Sequence, residues 1–404
     1  MALMSVEEAL RRVAGPTEAL AEEWVPVSAA AGRVLARDLI ANRSQPPADM
    51  SAMDGYAVRA ADIVDTPARL AVIGESAAGR PFTGAVGRGE CVRIFTGAVL
   101  PAGADTVVIQ ENTTREGAVM TTTAPTAARR NVRKAGCDFA KGAPGLAAGH
   151  RITARGMMLA AAMDHARVPV ARRPRVALLQ TGDELVMPGE GSGADAEIVV
   201  SNAFGLAAIA RGAGAEVIDL GVVGDDLSVI RAAIRRAVDE GADVLVSSGG
   251  ASVGDHDLMA PALKAEQVDL EVHKIALRPG KPLMFGRRGA LRVLGLPGNP
   301  VSSQVCGLLF LTPLLRALQG ETGPAYRTLP ARLGCAMPAN DWRMDFMRAR
   351  LAADGAGGLL ATPLPVQDSS LLSVLASADA LLIRPADAPA AEAGAPCEVI
   401  PFQD

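Results

Sequence analysis

An apolar run at 242–246 stops at two serines and two glycines, and SSGGASVGDHD fills 247–257. These residue types suit a phosphate. Glycines 249 and 250 let backbone N–H groups approach phosphate oxygens, and the hydroxyls of Ser247, Ser248 and Ser252 are further donors. Four other polar clusters follow apolar runs in the same way. Thr181-Gly182-Asp183-Glu184 follows 175–180, and Gly224-Asp225-Asp226 follows 216–223. Arg278-Pro279-Gly280-Lys281-Pro282 follows 273–277, and Pro297-Gly298-Asn299-Pro300 follows 292–296. Arg278 and Lys281 neutralise anionic charge. Carboxylates do not face phosphate bare, so several acids beside such a site point to a hard cation such as Mg²⁺ between the two.

Each cluster also has a plainer reading. Gly-Asp-Asp before a helix is a turn with Asp226 or Ser228 as the cap. Ser-Ser-Gly-Gly also serves tight strand–helix packing. Thr-Gly-Asp-Glu is an ordinary loop composition, His256 reads as a solvated loop histidine, and His273 as structural. What favours chemistry is convergence, because a parallel sheet brings its strand ends to one edge. A second group lies at 51–59, SAMDGYAVR, where Asp54 precedes a glycine turn. Locally it reads as a turn aspartate. Arg93-Ile94-Phe95-Thr96-Gly97-Ala98 and Gln110-Glu111 add polar groups to the same region.

The elements that must position these residues are legible from periodicity. Short apolar strands at 175–179, 216–220, 243–246 and 292–296 alternate with helices. The clearest helix, 228–240, repeats Val229, Ile230, Ala233, Ile234, Ala237 and Val238 at helical spacing and stops at Gly241. Another is expected over 301–318, with Asn299 as its cap and Pro300 at the first position. This pattern predicts a doubly wound αβα domain with a parallel sheet covered on both faces. Residues 42–141 are dense in Gly, Pro and Thr with short apolar runs, and read as a β-rich domain. Segments 23–41 and 142–172 flank it as a small linking domain. After Pro324 short strands return (331–333, 380–383, 398–400), which predicts a small C-terminal β domain. The expected domains are 1–22 with 173–320, 23–41 with 142–172, 42–141, and 321–404.

Composition bounds the function. The chain has 404 residues, 49% hydrophobic and 21% charged, as an ordinary globular protein does. A net charge of −4 and only 3% aromatics give no general case for nucleic acid or an anionic membrane. Glu7, Glu8, Arg11 and Arg12 stand where a signal peptide needs an apolar run, and Ser5 with Glu8 forms a capping box instead. The longest apolar stretch, 305–318, contains Pro313 and Arg316 and is short for a membrane span. A cytoplasmic protein is expected. The five cysteines are scattered without a C-x-x-C pair, which argues against a disulfide framework or structural zinc. Cys306 reads as a small core residue and Cys137 as a loop thiol.

SAMDGYAVR (51–59), RIFTGAVLPAGADTVVIQE (93–111), QTGDEL (180–185), SSGGASVGDHD (247–257), RPGKP (278–282) and LPGNPVSS (296–303) occur in one order along the chain. Together they closely resemble the molybdopterin molybdenumtransferases, the MoeA group that includes the E domain of gephyrin. The resemblance implies an elongated four-domain homodimer, a C-terminal β-barrel-like domain, and a cleft between the αβα domain of one subunit and the β-rich domain of the other. It implies a Mg²⁺-dependent enzyme that takes adenylylated molybdopterin and molybdate, inserts molybdenum at the dithiolene sulfurs and releases AMP. It also implies a possible hand-over from a molybdopterin adenylyltransferase.

Carried over by position, the resemblance assigns Glu184, Asp225 and Asp257 to the nucleotide, metal or molybdate end. Asp54, with Thr96 nearby, is assigned to a contribution across the dimer, and Asp138 to a looser match. Lys274, Arg278 and Lys281 form the basic side. Ser247, Ser248, Gly249, Gly250 and Ser252 form the phosphate cradle. Arg343, Arg348 and Ser373 match polar positions toward the pterin end. Arg278 stands where some relatives have lysine, which changes the contact geometry. Two alternatives share the fold: a molybdopterin adenylyltransferase, which lacks the flanking β domains, and a non-catalytic scaffold. A NAD-binding Rossmann enzyme is disfavoured, since no G-x-G-x-x-G follows the first strand of the αβα domain.

Overall fold

The computed structural model describes residues 3–15, 17–249, 258–355 and 357–402. At its centre is a six-stranded sheet in the order Glu216–Val223, Arg175–Thr181, Val244–Ser248, Leu291–Leu296, Pro282–Arg288, Asp269–Lys274. The first four strands are parallel, as the alternation of strands and helices requires. The last two join by antiparallel pairing, so the sheet is mixed, where the sequence suggested a wholly parallel one. The reason is local. Only two residues, Gly289 and Ala290, separate Pro282–Arg288 from Leu291–Leu296, and a connection that short makes a hairpin. Two reversals leave Asp269–Lys274 running with the four parallel strands. The loop 275–281 therefore lies at the same edge as their carboxyl ends.

Helices cover both faces. Val6–Ala14, Asn202–Gly212 and the long Pro300–Leu318 helix bury one face around Val176, Leu178, Val246 and Leu294. Leu227–Asp239 and Met259–Ala265 bury the other around Ala177, Leu179, Leu245 and Val293. Ser5 caps the first helix as expected, its hydroxyl accepting from the Glu8 N–H at 3.2 Å. Pro300–Leu318 is long and apolar enough to cross a membrane, but it is the core helix of this sheet, with Leu309, Phe310, Leu314 and Leu315 buried. It widens to a π turn over Gly307–Leu311 just before Pro313, which has no N–H to give to a regular turn.

The β-rich region forms a separate six-stranded sheet, with Gly55–Val58 between Thr106–Ile109 and Glu90–Ile94. Gly55 permits that pairing: a Cβ there would stand 1.9 Å from the Val108 carbonyl oxygen. The linking layer pairs Glu22–Pro26 with Arg167–Ala171 over a core that includes Leu35, Ile152 and Val170. The C-terminal region closes a five-stranded barrel: Met344–Ala353, Leu359–Pro363, Leu329–Leu333, Pro396–Pro401, Ala380–Arg384, and back to Met344–Ala353. Its Phe346, Leu381 and Ile400 belong to the same apolar cluster as the central helices, so barrel and central sheet share a core.

One polar joint ties three of these parts. Glu321, in the segment leading to the barrel, accepts from Arg151 of the linking layer at 2.6 Å and from Arg316 of the long helix at 2.9 Å. Burial alone would raise the Glu321 pKa, and the two guanidinium groups overcome it and hold it at about 2. Arg151 also donates to the carbonyls of Gly32 and Ala213.

Candidate functional site

The carboxyl edge of the central sheet gathers all five polar clusters. The Ser248–Gly249 step is held from two sides. Gly249 adopts φ +99°, and a Cβ there would stand 2.5 Å from the Thr181 carbonyl oxygen. Gly298 approaches from the next strand end, its Cβ position in ordinary contact at 3.7 Å from the Gly249 Cα. Three loops thus meet here, and at Gly249 the approach is one only glycine allows. Asn202, at the start of its helix, donates to the Ser248 hydroxyl at 2.8 Å and to the Gly298 carbonyl at 2.7 Å, pinning two of the loops.

Ser247 and Ser248 stand inside the sheet end and are buried. The Ser248 hydroxyl is engaged by Asn202, whereas the Ser247 hydroxyl and that of Thr181 have no partner among the described residues. Being buried, these hydroxyls are not exposed donors. Gly250, Ser252, Asp255, His256 and Asp257 lie outside the described residues.

The acids come from two neighbouring loops. Glu184 is exposed and its carboxylate folds over Gly182, where a Cβ would stand 2.5 Å from it. Asp183 accepts from the Asp225 N–H at 3.0 Å and so fastens the Gly-Asp-Asp loop to the Thr-Gly-Asp-Glu loop. Asp226 is the helix cap, accepting from the N–H groups of Ser228 and Val229 at 2.7 and 3.1 Å. The Ser228 hydroxyl and these N–H groups hold its carboxyl below the usual range. The two neighbouring aspartates thus divide, Asp226 capping and Asp225 exposed. A cleft of about 410 Å³ opens beside them, lined by Asp183, Met187, Glu190 and Val222 among others.

Lys274 and Lys281 are exposed on the same edge, and their ammonium groups have no hydrogen bond or ion pair among the described residues. Arg278, between them in sequence, differs. It pairs with Asp345, with Asp341 at 3.2 Å and with Asn340 at 3.1 Å, all near or in the barrel strand Met344–Ala353. The Asp345 hydrogen bond raises its pKa further.

The long helix starts at this edge too, but Asn299 makes no side-chain cap. Its amide donates instead to the Ser369 hydroxyl at 2.9 Å, and the Ser369 carbonyl accepts from the Val301 N–H at 3.1 Å. Ser369 sits in a loop organised by Arg348. The Arg348 guanidinium is buried at 1% exposure and donates to the Asp368 carbonyl at 2.9 Å, while its backbone exchanges bonds with Gln367. Ser373 is exposed on the short Leu372–Ala376 helix that follows. Arg343 stacks on Trp342 and bonds Asp341 at 2.9 Å. The sequence singled out neither Asp183, Asn202 nor Ser369. Each is a common residue type whose role depends on a partner from another loop.

Asp54 belongs to a second, self-contained group. Its Oδ1 accepts from the Thr96 N–H at 2.7 Å and the Thr96 hydroxyl at 2.8 Å. These bonds, the backbone one first, hold its carboxyl below the usual range, with Arg93 adding to the effect. Arg93 lies over both Tyr56 and Phe95, donates to the Gly55 carbonyl and bonds Gln110. Among the described residues, the bonds of this group stay within the β-rich sheet region and none reaches the central edge. Asp138 is exposed in a loop whose backbone is held to Gln45 and joins neither group through a described bond.

Residues 4–163 match the family described as MoeA N-terminal region (domain I and II), 177–317 a probable molybdopterin binding domain, and 330–402 the MoeA C-terminal region (domain IV). A molybdopterin molybdenumtransferase of Haemophilus influenzae is 33% identical, with 94% of each chain covered. Molybdopterin molybdenumtransferase 2 of Mycobacterium tuberculosis is 35% identical over 98% of this chain and 99% of its own. The crystal structure of a molybdopterin biosynthesis MoeA protein of Pyrococcus horikoshii superposes with a TM-score of 0.84 at 32% identity, covering both chains fully.

Proposed function

This chain belongs to the molybdopterin molybdenumtransferase family and is a transferase that inserts molybdenum in the making of the molybdenum cofactor, and from that premise we propose how its own residues do so. Adenylylated molybdopterin binds at the carboxyl edge of the central sheet. Its phosphoanhydride lies against the glycine backbone at 249 and 298 with Lys281 and Lys274 meeting its charge. The observation that carries this reading is a pair of exposed lysines, without hydrogen bond or ion pair among the described residues, on the same glycine-lined carboxyl edge as the exposed Glu184 and Asp225.

Glu184 and Asp225 would supply oxygen donors to a Mg²⁺, with Asp257 of the SSGGASVGDHD motif, outside the described residues, as a third candidate. Among the described residues, no three His, Cys, Asp or Glu side chains stand together as a complete metal site. The donor set fits a Mg²⁺ shared with substrate phosphate oxygens rather than a cage of protein ligands. Bound there, it would supply charge neutralisation on the phosphoanhydride. Asp183 orients the Asp225 loop, and the lysines hold phosphate and molybdate oxygens together. A water, or a molybdate oxygen whose Mo–O bond then breaks, attacks the adenylyl phosphorus; the anhydride P–O bond breaks, AMP leaves carrying the attacking oxygen, and molybdopterin keeps its own phosphate. Positioning and charge account for most of the rate.

We further propose a cytoplasmic homodimer in which Asp54 and Thr96 come from the second copy. The Asp54 group supports this, being pre-set as an ionised carboxylate with no described bond to its own chain's central edge. The four domains expected from the sequence each hold an apolar cluster of their own, which supports that division. An adenylyltransferase reading is disfavoured because the family matches extend over both flanking regions.

The test is AMP release by purified protein given adenylylated molybdopterin and Mg²⁺, with and without molybdate. Release that requires molybdate and yields active cofactor is expected. Tight substrate binding without release would replace this reading with a scaffold one.

A further inference from the structure

We infer that Arg278 is a positioning residue, tied by Asp345 and Asp341 to the C-terminal barrel so that the loop carrying Lys281 is held over the carboxyl edge. The inference rests on reading that edge as the anion site. It separates the two cations of Arg-Pro-Gly-Lys-Pro by job, with Lys281 meeting the ligand and Arg278 meeting the barrel.

The loop is clamped along its length. On one side Met4 pairs with it, donating to the Lys274 carbonyl at 3.2 Å and accepting from Ala276 at 2.8 Å. On the other side Leu277–Arg278 adds as a parallel strand to Met344–Ala353, with Leu277 opposite Met344 and Arg278 opposite Asp345. The Met344 N–H donates to the Ala276 carbonyl at 3.0 Å. Gly280 has φ +117°, and a Cβ there would stand 2.5 Å from the Cys306 Sγ, so the turn sits directly on the long helix. The Lys281 carbonyl closes the loop by accepting from Ile275 at 3.2 Å. The buried side chains of Ile275 and Leu277 anchor the loop in the central core, and the guanidinium of Arg278 adds the charged tie to the barrel.

Charge decides between the two roles. A cation that binds phosphate must bring net positive charge to it. Arg278 faces two carboxylates, and Asp345 is only 4% exposed with its second oxygen unpartnered. Asp341 is held ionised, the hydrogen bonds from Arg343 leading in lowering its pKa to about 2. The local sum of Arg278, Arg343, Asp341 and Asp345 is zero. Lys281 and Lys274 carry no such offset among the described residues. Arg suits this structural post because its planar fork bonds several acceptors at once, which a lysine does not.

A double-mutant cycle tests this, with Arg278→Gln, Asp345→Asn and both together, scored by kcat and KM for adenylylated molybdopterin in saturating molybdate. Each single change is expected to raise KM about tenfold with kcat largely kept, and the double to be no worse than either single, because both break one contact. Multiplicative losses, or a large loss from Arg278→Gln in the Asp345→Asn background, would show Arg278 touching the ligand and overturn the inference. Wild-type kinetics in Asp345→Asn would overturn it equally. If that variant does not fold, Asp341→Asn, whose side chain is 36% exposed, is the milder cut. It should move KM in the same direction, and an unmoved KM would count against the tie. A wild-type protein without molybdate-dependent AMP release would refute the anion-site reading itself, an outcome distinct from a failed cycle in an active enzyme.

Discussion

The joint at Glu321 and the edge at Lys281 use the same residue types for opposite ends. At the joint, two arginines and one glutamate close on each other, and the glutamate side chain is only 6% exposed. At the edge, Lys274 and Lys281 have no ion pair among the described residues and stand in solvent. A charge satisfied inside the protein stabilises the fold and is unavailable to a ligand. A charge left in solvent adds little to stability and is available. Arg278 reads as a joint residue by this criterion although its motif belongs to the edge.

The largest effect that checks the contrast is on stability. Glu321→Gln leaves two guanidinium groups partly buried with no counter-charge, and is expected to cost about 3 kcal/mol, as breaking a buried ion pair does. A urea titration measures it. The sign with pH follows from the lowered pKa. The ionised carboxylate contributes fully above its ordinary value near 4.5, and the contribution fades as pH falls toward about 2. The gap between wild type and variant should therefore be wide at neutral pH and should close in acid. A gap that stayed constant would mean the joint does not act through its charge.

Next in size, Lys281→Ala should lower turnover by roughly 100-fold, the scale of removing one well-placed electrostatic group. The urea midpoint should not move, since the side chain has no partner to lose among the described residues. A shifted midpoint with normal turnover would reverse the comparison.

How much of this the sequence carried depends on whether a role is local. The helix 228–240, its cap at Asp226 or Ser228 and the glycine turn at 249 were legible because spacing and backbone demand leave a mark on neighbouring residues. The convergence of the polar loops followed from strand alternation, even though one strand, Pro282–Arg288, runs against the others. The barrel was only half visible. Its strands near 331, 380 and 398 alternate, but Met344–Ala353 carries Asp345 and Arg348 into the interior, and charges at buried positions hide the strand pattern. Asn299 misled for a related reason. Its position fits a cap, yet its amide serves Ser369, 70 residues away, and no local rule reports a partner that distant. The Asp54 group gave its acid and its glycine, while the Thr96 bonds that set its ionisation arise only when two strands pair.

The smallest effect separates the two regions without any mutation. Raising salt shortens the reach of exposed charges, with the Debye length falling from about 10 Å at 0.1 M toward about 3 Å at 1 M. Lys274 and Lys281 stand in solvent, so if they meet the ligand as proposed, added potassium chloride should raise KM for the adenylylated substrate, by roughly threefold or more across that range. The Glu321 joint is bonded directly and shielded by protein, so the wild-type advantage over Glu321→Gln in urea should hardly respond. Arg278 supplies the intermediate case, with its guanidinium half-exposed and Asp345 buried. If it is a joint residue, the KM penalty of Asp345→Asn should persist at high salt. If it meets the ligand as Lys281 does, Asp345→Asn should carry little penalty, and the penalty of Arg278→Gln should shrink as screening removes what that variant had already lost.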